Sequence, residues 1–262
     1  MKTYFFAFLL ILVFKAHSQN LECNPDENSR TRILVDNNPN NFTCFIEMTR
    51  GWSTYYGTGA LIHPRVVITA GHNIAYFPVT KRPPFVLFSG TRKVNLYFGS
   101  IDSKNHKATV KDLKLKKSKT KFFMDGYWSN SAIFRDFAII ILPDLQVYNT
   151  VKGHYKLSYL SESDIKDKEI QIIGSPGDKD LFEMWTSKTK NFRLEDGGLK
   201  YDLYTEVRNS GSPIFISNNS DFQLIGVHSR SFGKCNASVF LDNNTYDQIV
   251  EWCKSIGVDI TK

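Results

Sequence analysis

After its first residues the sequence contains no apolar run approaching the roughly 20 residues that a membrane-spanning helix requires. It holds only four cysteines, Cys23, Cys44, Cys235 and Cys253, and their spacing fits no zinc pattern. A structural zinc site is therefore not expected, and no other metal or cofactor is implied. Internal repeats and low-complexity tracts are missing, which argues against solenoids and propeller arrays. Long segments of 3.6-residue apolar periodicity are missing too, with one exception near the C-terminus, so a helical bundle is disfavoured.

What stands at the N-terminus is a short exception to the first absence. Lys2, the apolar stretch Tyr4 to Phe14 and Ala16-His17-Ser18 have the order of a secretory signal, with small residues at −3 and −1 of a cut after Ser18. The stretch is too short for an anchor, so a secreted protein without membrane attachment is expected. Losing Lys2 and Lys15 with the signal takes the formal charge from +7 to +5. Eight lysines crowd the block from Lys104 to Lys121. Val110, Leu113, Leu115 and Phe122 are interleaved with them, as on a hairpin or loop with one solvated face, and no nucleic-acid partner is expected. Four cysteines suit an oxidising compartment and allow three pairings. The local pairing is Cys23–Cys44 with Cys235–Cys253. Asn41, Asn218, Asn236 and Asn243 head glycosylation sequons.

From Phe42 onward the sequence is a series of short apolar runs between turn residues. They are Phe42–Met48, Gly59–Ile62, Val66–Thr69, Phe85–Phe88, Val94–Phe98, Ala138–Leu142, Ile170–Ile173, Ile214–Ile216, Leu224–Val227 and Ser238–Leu241. That spacing predicts an all-β sandwich or barrel. Residues 243–257 form the helical exception: Tyr246, Ile249, Val250 and Cys253 share a face, and Gly257 follows as a stop. The expected organisation is a signal at 1–18, an N-terminal arm or short pro-segment at 19–32 and one domain at 33–262. Within that domain the halves are about 33–150 and 151–242, with Pro143 to Asp164 connecting them.

Three motifs carry chemistry. Thr69-Ala70-Gly71-His72 follows the apolar run Val66-Val67-Ile68. Asp136 stands at the mouth of Phe137-Ala138-Ile139-Ile140-Ile141-Leu142, and Asn209-Ser210-Gly211-Ser212-Pro213 is a glycine-flanked turn. Acyl transfer by serine needs a base for its hydroxyl, a buried acid to hold that base, and donors for the developing oxyanion. Ser210 is the candidate nucleophile, His72 the base and Asp136 the orienting acid, with the backbone N–H groups of Arg208 and Ser210 as oxyanion donors. The order His, Asp, Ser, spaced by 64 and 74 residues, is that of chymotrypsin-like proteases. His63, His106 and His154 have no partners at motif spacing and read as surface residues. Trp185 and Trp252 read as core.

The chain resembles the bacterial glutamyl endopeptidases, secreted proteases of the chymotrypsin-like clan. The resemblance rests on Gly174 to Lys179, Met184 to Lys188, Tyr201 to Thr205 and Asn209 to Phe215, in the family's order, and on Arg30-Thr31-Arg32. It implies an all-β fold of two perpendicular six-stranded β-barrels with the triad between them and a C-terminal helix. It also implies a polypeptide substrate cut after Glu, less readily after Asp, by a monomer. Thr205 and His228 would recognise the glutamate carboxylate with Ser231 assisting, since a neutral imidazole and a hydroxyl can donate without burying a full cation. Trypsin-like pockets carry Asp where this chain has Tyr204. In this family the processed α-amino group lies near the pocket, so the cut after Ser18 or one nearer Arg30 would matter.

Two departures from the family pattern stand out. Arg208 replaces the usual glycine two residues before the nucleophile. If its φ is positive it costs about 1–2 kcal/mol, and a flipped peptide would forfeit a donor worth roughly 10²–10³ in rate. The alternative function is accordingly a catalytically weak, toxin-like or binding protein with a defective oxyanion hole. Asn73 stands where many clan members carry a bridged Cys.

Overall fold

Val66–Thr69 is β-branched at every position and fully buried, so it can only be an interior strand. Around it the first half of the chain builds one antiparallel sheet. The computed structural model describes residues 21–34, 37–74, 91–99, 110–111, 113, 121–123, 135–195, 197–218 and 221–261. The proposed signal, the run Phe85–Phe88, His106 and most of the lysine block lie outside them. The strands of the first half are β2 (Thr43–Arg50), β3 (Ser53–His63), β4 (Val66–Thr69), β5 (Thr91–Phe98), β6 (Lys121–Phe123) and β7 (Phe137–Ile141). Their order is β5-β2-β3-β4-β7-β6. The short helix α1 (Gly71–Ile74) follows β4.

The connector carries α2 (Gln146–Val151), the two-residue strand β8 (Lys156–Leu157) and α3 (Glu162–Ile165). The second sheet holds β9 (Ile170–Gly174), β10 (Met184–Thr189), β11 (Phe192–Glu195), β12 (Gly198–Tyr201), β13 (Pro213–Asn218), β14 (Asp221–Phe232) and β15 (Cys235–Phe240). To its own seven strands it adds two, β8 paired with β14 and β1 (Thr31–Ile33) paired with β10, and so holds nine rather than six. The fold is thus all-β in two sheets, one from each half. Helix α4 (Asn243–Lys254) closes the chain, capped by Asp242, which accepts from the Thr245 N–H at 2.8 Å. It seats Ile249, Val250 and Cys253 against the core, on the face the sequence predicts.

Strands β10 to β12 are absent from the apolar-run reading because polar residues interrupt them, as in Met184-Trp185-Thr186-Ser187-Lys188-Thr189 and Phe192-Arg193-Leu194-Glu195. Their pairing comes from neighbouring strands rather than from local pattern.

The cysteines do not pair locally. Cys23 is bonded to Cys235, 212 residues away, while Cys44 and Cys253 are buried free thiols. The reason lies in where the elements point their side chains: Cys44 faces the interior from the start of β2, and Cys253 lies on the buried face of α4. Burial pushes the Cys253 thiol up to about 12 and that of Cys44 higher still. A bridge closing so long a loop contributes about 5 kcal/mol in the chain-entropy account. It also ties residues 21–33 to the second sheet, where the Asn191 side-chain amide donates to the Glu22 carbonyl at 2.9 Å. Of the four sequons, Asn41 and Asn236 are buried, with their amides donating to Val151 and Leu203 carbonyls, whereas Asn218 and Asn243 are exposed.

Candidate active site

The antiparallel register Thr69↔Ala138 sets the end of β4 beside the start of β7. His72, three residues beyond Thr69, therefore meets Asp136, two before Ala138. The His72 Nδ1 lies 2.6 Å from Asp136 Oδ2, and the His72 backbone N–H donates to Oδ1 at 2.9 Å. The carboxylate is 1 % exposed. Burial alone would raise its pKa, but the His72 ring, the Ser229 hydroxyl and the His72 N–H together hold it below the usual carboxylate range. Ser229 donates to Oδ2 at 2.6 Å. Sequence reasoning passes over Ser229, since only its place beside His228 on β14 marks it, and that signal is weak.

Ser210 sits on the turn before β13. Its carbonyl accepts from the Thr58 N–H at 2.9 Å and from the Asn73 side-chain amide at 2.7 Å. Asn73, at the position of the absent Cys, thus joins the two halves by a hydrogen bond, and its amide also donates to Thr69 Oγ1. Gly211 must be glycine on two counts: its φ is +89°, and an added Cβ would come within 2.0 Å of the Thr58 carbonyl oxygen. The Gly211 N–H donates to the His228 carbonyl and the His228 N–H to the Ser212 carbonyl, which pins the turn to β14. The Ser210 hydroxyl donates to the Ser229 carbonyl at 3.3 Å. It makes no hydrogen bond to His72 in this structure, although both side chains line the same cavity.

Arg208 has φ +75°, in the left-handed region. Its carbonyl accepts from the Thr58 hydroxyl at 3.0 Å. The preceding carbonyl, of Val207, lies against Gly177, so the Arg208 N–H on the opposite edge of that planar peptide points away from Gly177. Among the described residues no acceptor meets the backbone N–H of either Arg208 or Ser210. The guanidinium is turned away, donating to the carbonyls of Pro176 and Lys179.

The cavity beside Ser210 has a volume of about 450 Å³ and is walled by His72, Thr205, His228, Ser229 and Ser231. His228 is 3 % exposed, and its Nδ1 lies 2.7 Å from the Tyr201 hydroxyl. Burial, reinforced by His72, lowers its pKa to about 3, so the ring is neutral at neutral pH. Ser231 lines the cavity, but its hydroxyl proton goes to Asn236 Oδ1 at 2.9 Å. Tyr201 is a residue that the sequence reading passes over in this role. His63 and His154 pack together elsewhere, their ring centroids 6.4 Å apart. Trp252 packs on Phe137, whereas Trp185 is half-buried beneath Arg30 and Lys179.

Solved structures with the same fold include a Glu endopeptidase, at TM-score 0.63 and 24 % identity over 87 % of this chain and 95 % of that one. The protease Anisep from Arthrobacter nicotinovorans matches at TM-score 0.62 and 15 % identity over 84 % and 96 %. The fold is that of the chymotrypsin-like serine proteases. Over part of its length the sequence is similar to glutamyl endopeptidases of Staphylococcus aureus, including that of strain MW2, at 38 % identity over 79 residues. That match covers 30 % of this chain and 23 % of the relative, so the shared segment spans under a quarter of the relative's length. No protein-family model matches the chain.

Proposed function

We propose that this protein is a secreted serine endopeptidase that hydrolyses peptide bonds after Glu, and less readily after Asp. The observation that carries the reading is His72, paired with the buried Asp136, in one cavity wall with Ser210, beside two backbone N–H groups that meet no acceptor among the described residues. Ser210 Oγ would attack the scissile carbonyl as His72 Nε2 takes its proton, with Asp136 holding Nδ1–H and favouring the charged ring. The N–H groups of Arg208 and Ser210 would stabilise the oxyanion, and water activated by the same imidazole would release the acyl group. For attack, the Ser210 hydroxyl would exchange its long bond to the Ser229 carbonyl for one to His72.

The preference for Glu follows from the cavity wall. Were Tyr201 the donor to Nδ1, the neutral His228 ring would carry its proton on Nε2 and could donate it to a carboxylate. Thr205 would supply a second donor. The glutamyl endopeptidase homologues support the same substrate. The disulfide agrees with an oxidising, extracellular setting. Among the described residues no helix is long and apolar enough to cross a membrane. A polypeptide substrate, a monomeric state and the lack of a nucleic-acid partner belong to the same proposal. A binding protein with a defective oxyanion hole is disfavoured because Arg208 already has the left-handed backbone and the Val207 carbonyl faces Gly177.

Cleavage-site mapping by mass spectrometry on an unfolded protein mixture tests this, with Ser210→Ala run in parallel. Cuts after Glu, absent in the variant, are expected. Ser210-dependent cuts after other residues would discard the roles of Thr205 and His228. No Ser210-dependent cuts from the folded, processed protein would discard the protease itself.

A further inference from the structure

Resting on the protease reading, we propose that Arg208 is held in its oxyanion conformation by its own side chain, through a clamp that begins at Arg30 in the N-terminal segment. A left-handed backbone is disfavoured about 5- to 30-fold for a residue with a Cβ, so something must hold it. The holder is the loop 175–180. Arg208 Nη2 donates to the carbonyls of Pro176 and Lys179. Val207 packs its side chain against Gly177, where an added Cβ would approach Val207 Cγ2 to 2.2 Å. Thr58 closes the other side, accepting from the Ser175 N–H and donating to the Arg208 carbonyl.

The loop is itself fixed from outside the catalytic centre. Arg30 grips Asp178 at its centre in a bidentate pair, Nη1–Oδ1 2.8 Å and Nη2–Oδ2 2.7 Å. The Arg30 side chain is 2 % exposed and lies over the rings of Tyr204, 4.4 Å from its centroid, and Trp185. Its pairing holds the Asp178 carboxyl well below the usual carboxylate range. Arg30 is anchored in turn by β1 on β10 and by the Cys23–Cys235 bridge. Asp178 and Arg30 are therefore positioning residues. Without their contact the loop is freed, the acceptors of the Arg208 guanidinium move, and the Arg208 N–H leaves the site.

A double-mutant cycle tests the clamp, because glycine at 208 reaches the left-handed region with no anchor. Turnover of a Glu-containing peptide substrate is measured for wild type, Asp178→Asn, Arg208→Gly and the double variant. Asp178→Asn is expected to lower kcat about 5- to 30-fold with KM within about twofold, and to cost less than about threefold in the Arg208→Gly background. Arg30→Lys, which keeps the charge but loses the fork, repeats the pattern should Asp178→Asn fold poorly. An equal loss in both backgrounds, or a change confined to KM, overturns the clamp. Absence of Ser210-dependent turnover in the wild type is a distinct outcome that removes the protease reading, and the clamp with it.

Discussion

Ser210→Ala is expected to lower kcat about 10⁶-fold, and Asp136→Asn about 10⁴-fold, with the double variant no slower than Ser210→Ala alone. The asymmetry follows from the geometry. In the proposed mechanism Ser210 supplies the bond-forming oxygen, so its loss would remove the acyl-enzyme route altogether. Asp136 is buried and does not line the cavity. It accepts from the His72 ring, the His72 N–H and the Ser229 hydroxyl, so an amide in its place presents a donor where a proton must be accepted and turns the imidazole to the wrong tautomer. Steady-state kinetics on a Glu peptide ester checks both. A loss for Asp136→Asn below about tenfold would mean that the buried carboxylate does not orient a catalytic base.

His228→Leu is expected to lower kcat/KM for a Glu substrate about 10²-fold while leaving an uncharged P1 residue within a few-fold, because it deletes a donor to a buried carboxylate. Unchanged Glu selectivity would remove His228 from the pocket. The same variant separates a pH effect on stability. Folding lowers the His228 pKa to about 3 from the ordinary 6.5, so the unfolded state binds the proton more readily. The stabilisation is complete above about pH 6.5 and falls away toward pH 3, at up to about 1.4 kcal/mol per pH unit. Urea denaturation across that range should be shallower in pH for His228→Leu than for the wild type.

Much of this was legible in the sequence because it depends on local pattern. Val66–Thr69 and Ile170–Ile173 are short, saturated with β-branched residues and bounded by turns, so their strands declare themselves. His72, Asp136 and Ser210 each stand at the end of such a strand or in such a turn, and their order along the chain is itself informative. Three things depended on distant contacts instead. Cys23 meets Cys235 through the packing of an N-terminal segment that carries little pattern of its own. Ser229 and Tyr201 matter only through what they touch, Asp136 and His228. Arg208, which reads as a defect against the family's glycine, has its backbone conformation accompanied by acceptors from Pro176 and Lys179, more than twenty-five residues earlier in the chain.

The bridge between Cys23 and Cys235 bears on how any proteolytic maturation would be read. Were the backbone opened between Cys23 and Arg30, the severed peptide would stay covalently attached to β15, behind the pocket wall that Asn236 braces. The product would be a two-chain molecule with its N-terminal peptide retained rather than shed. Its mass would rise by a single water, and its two chains would separate only on reduction.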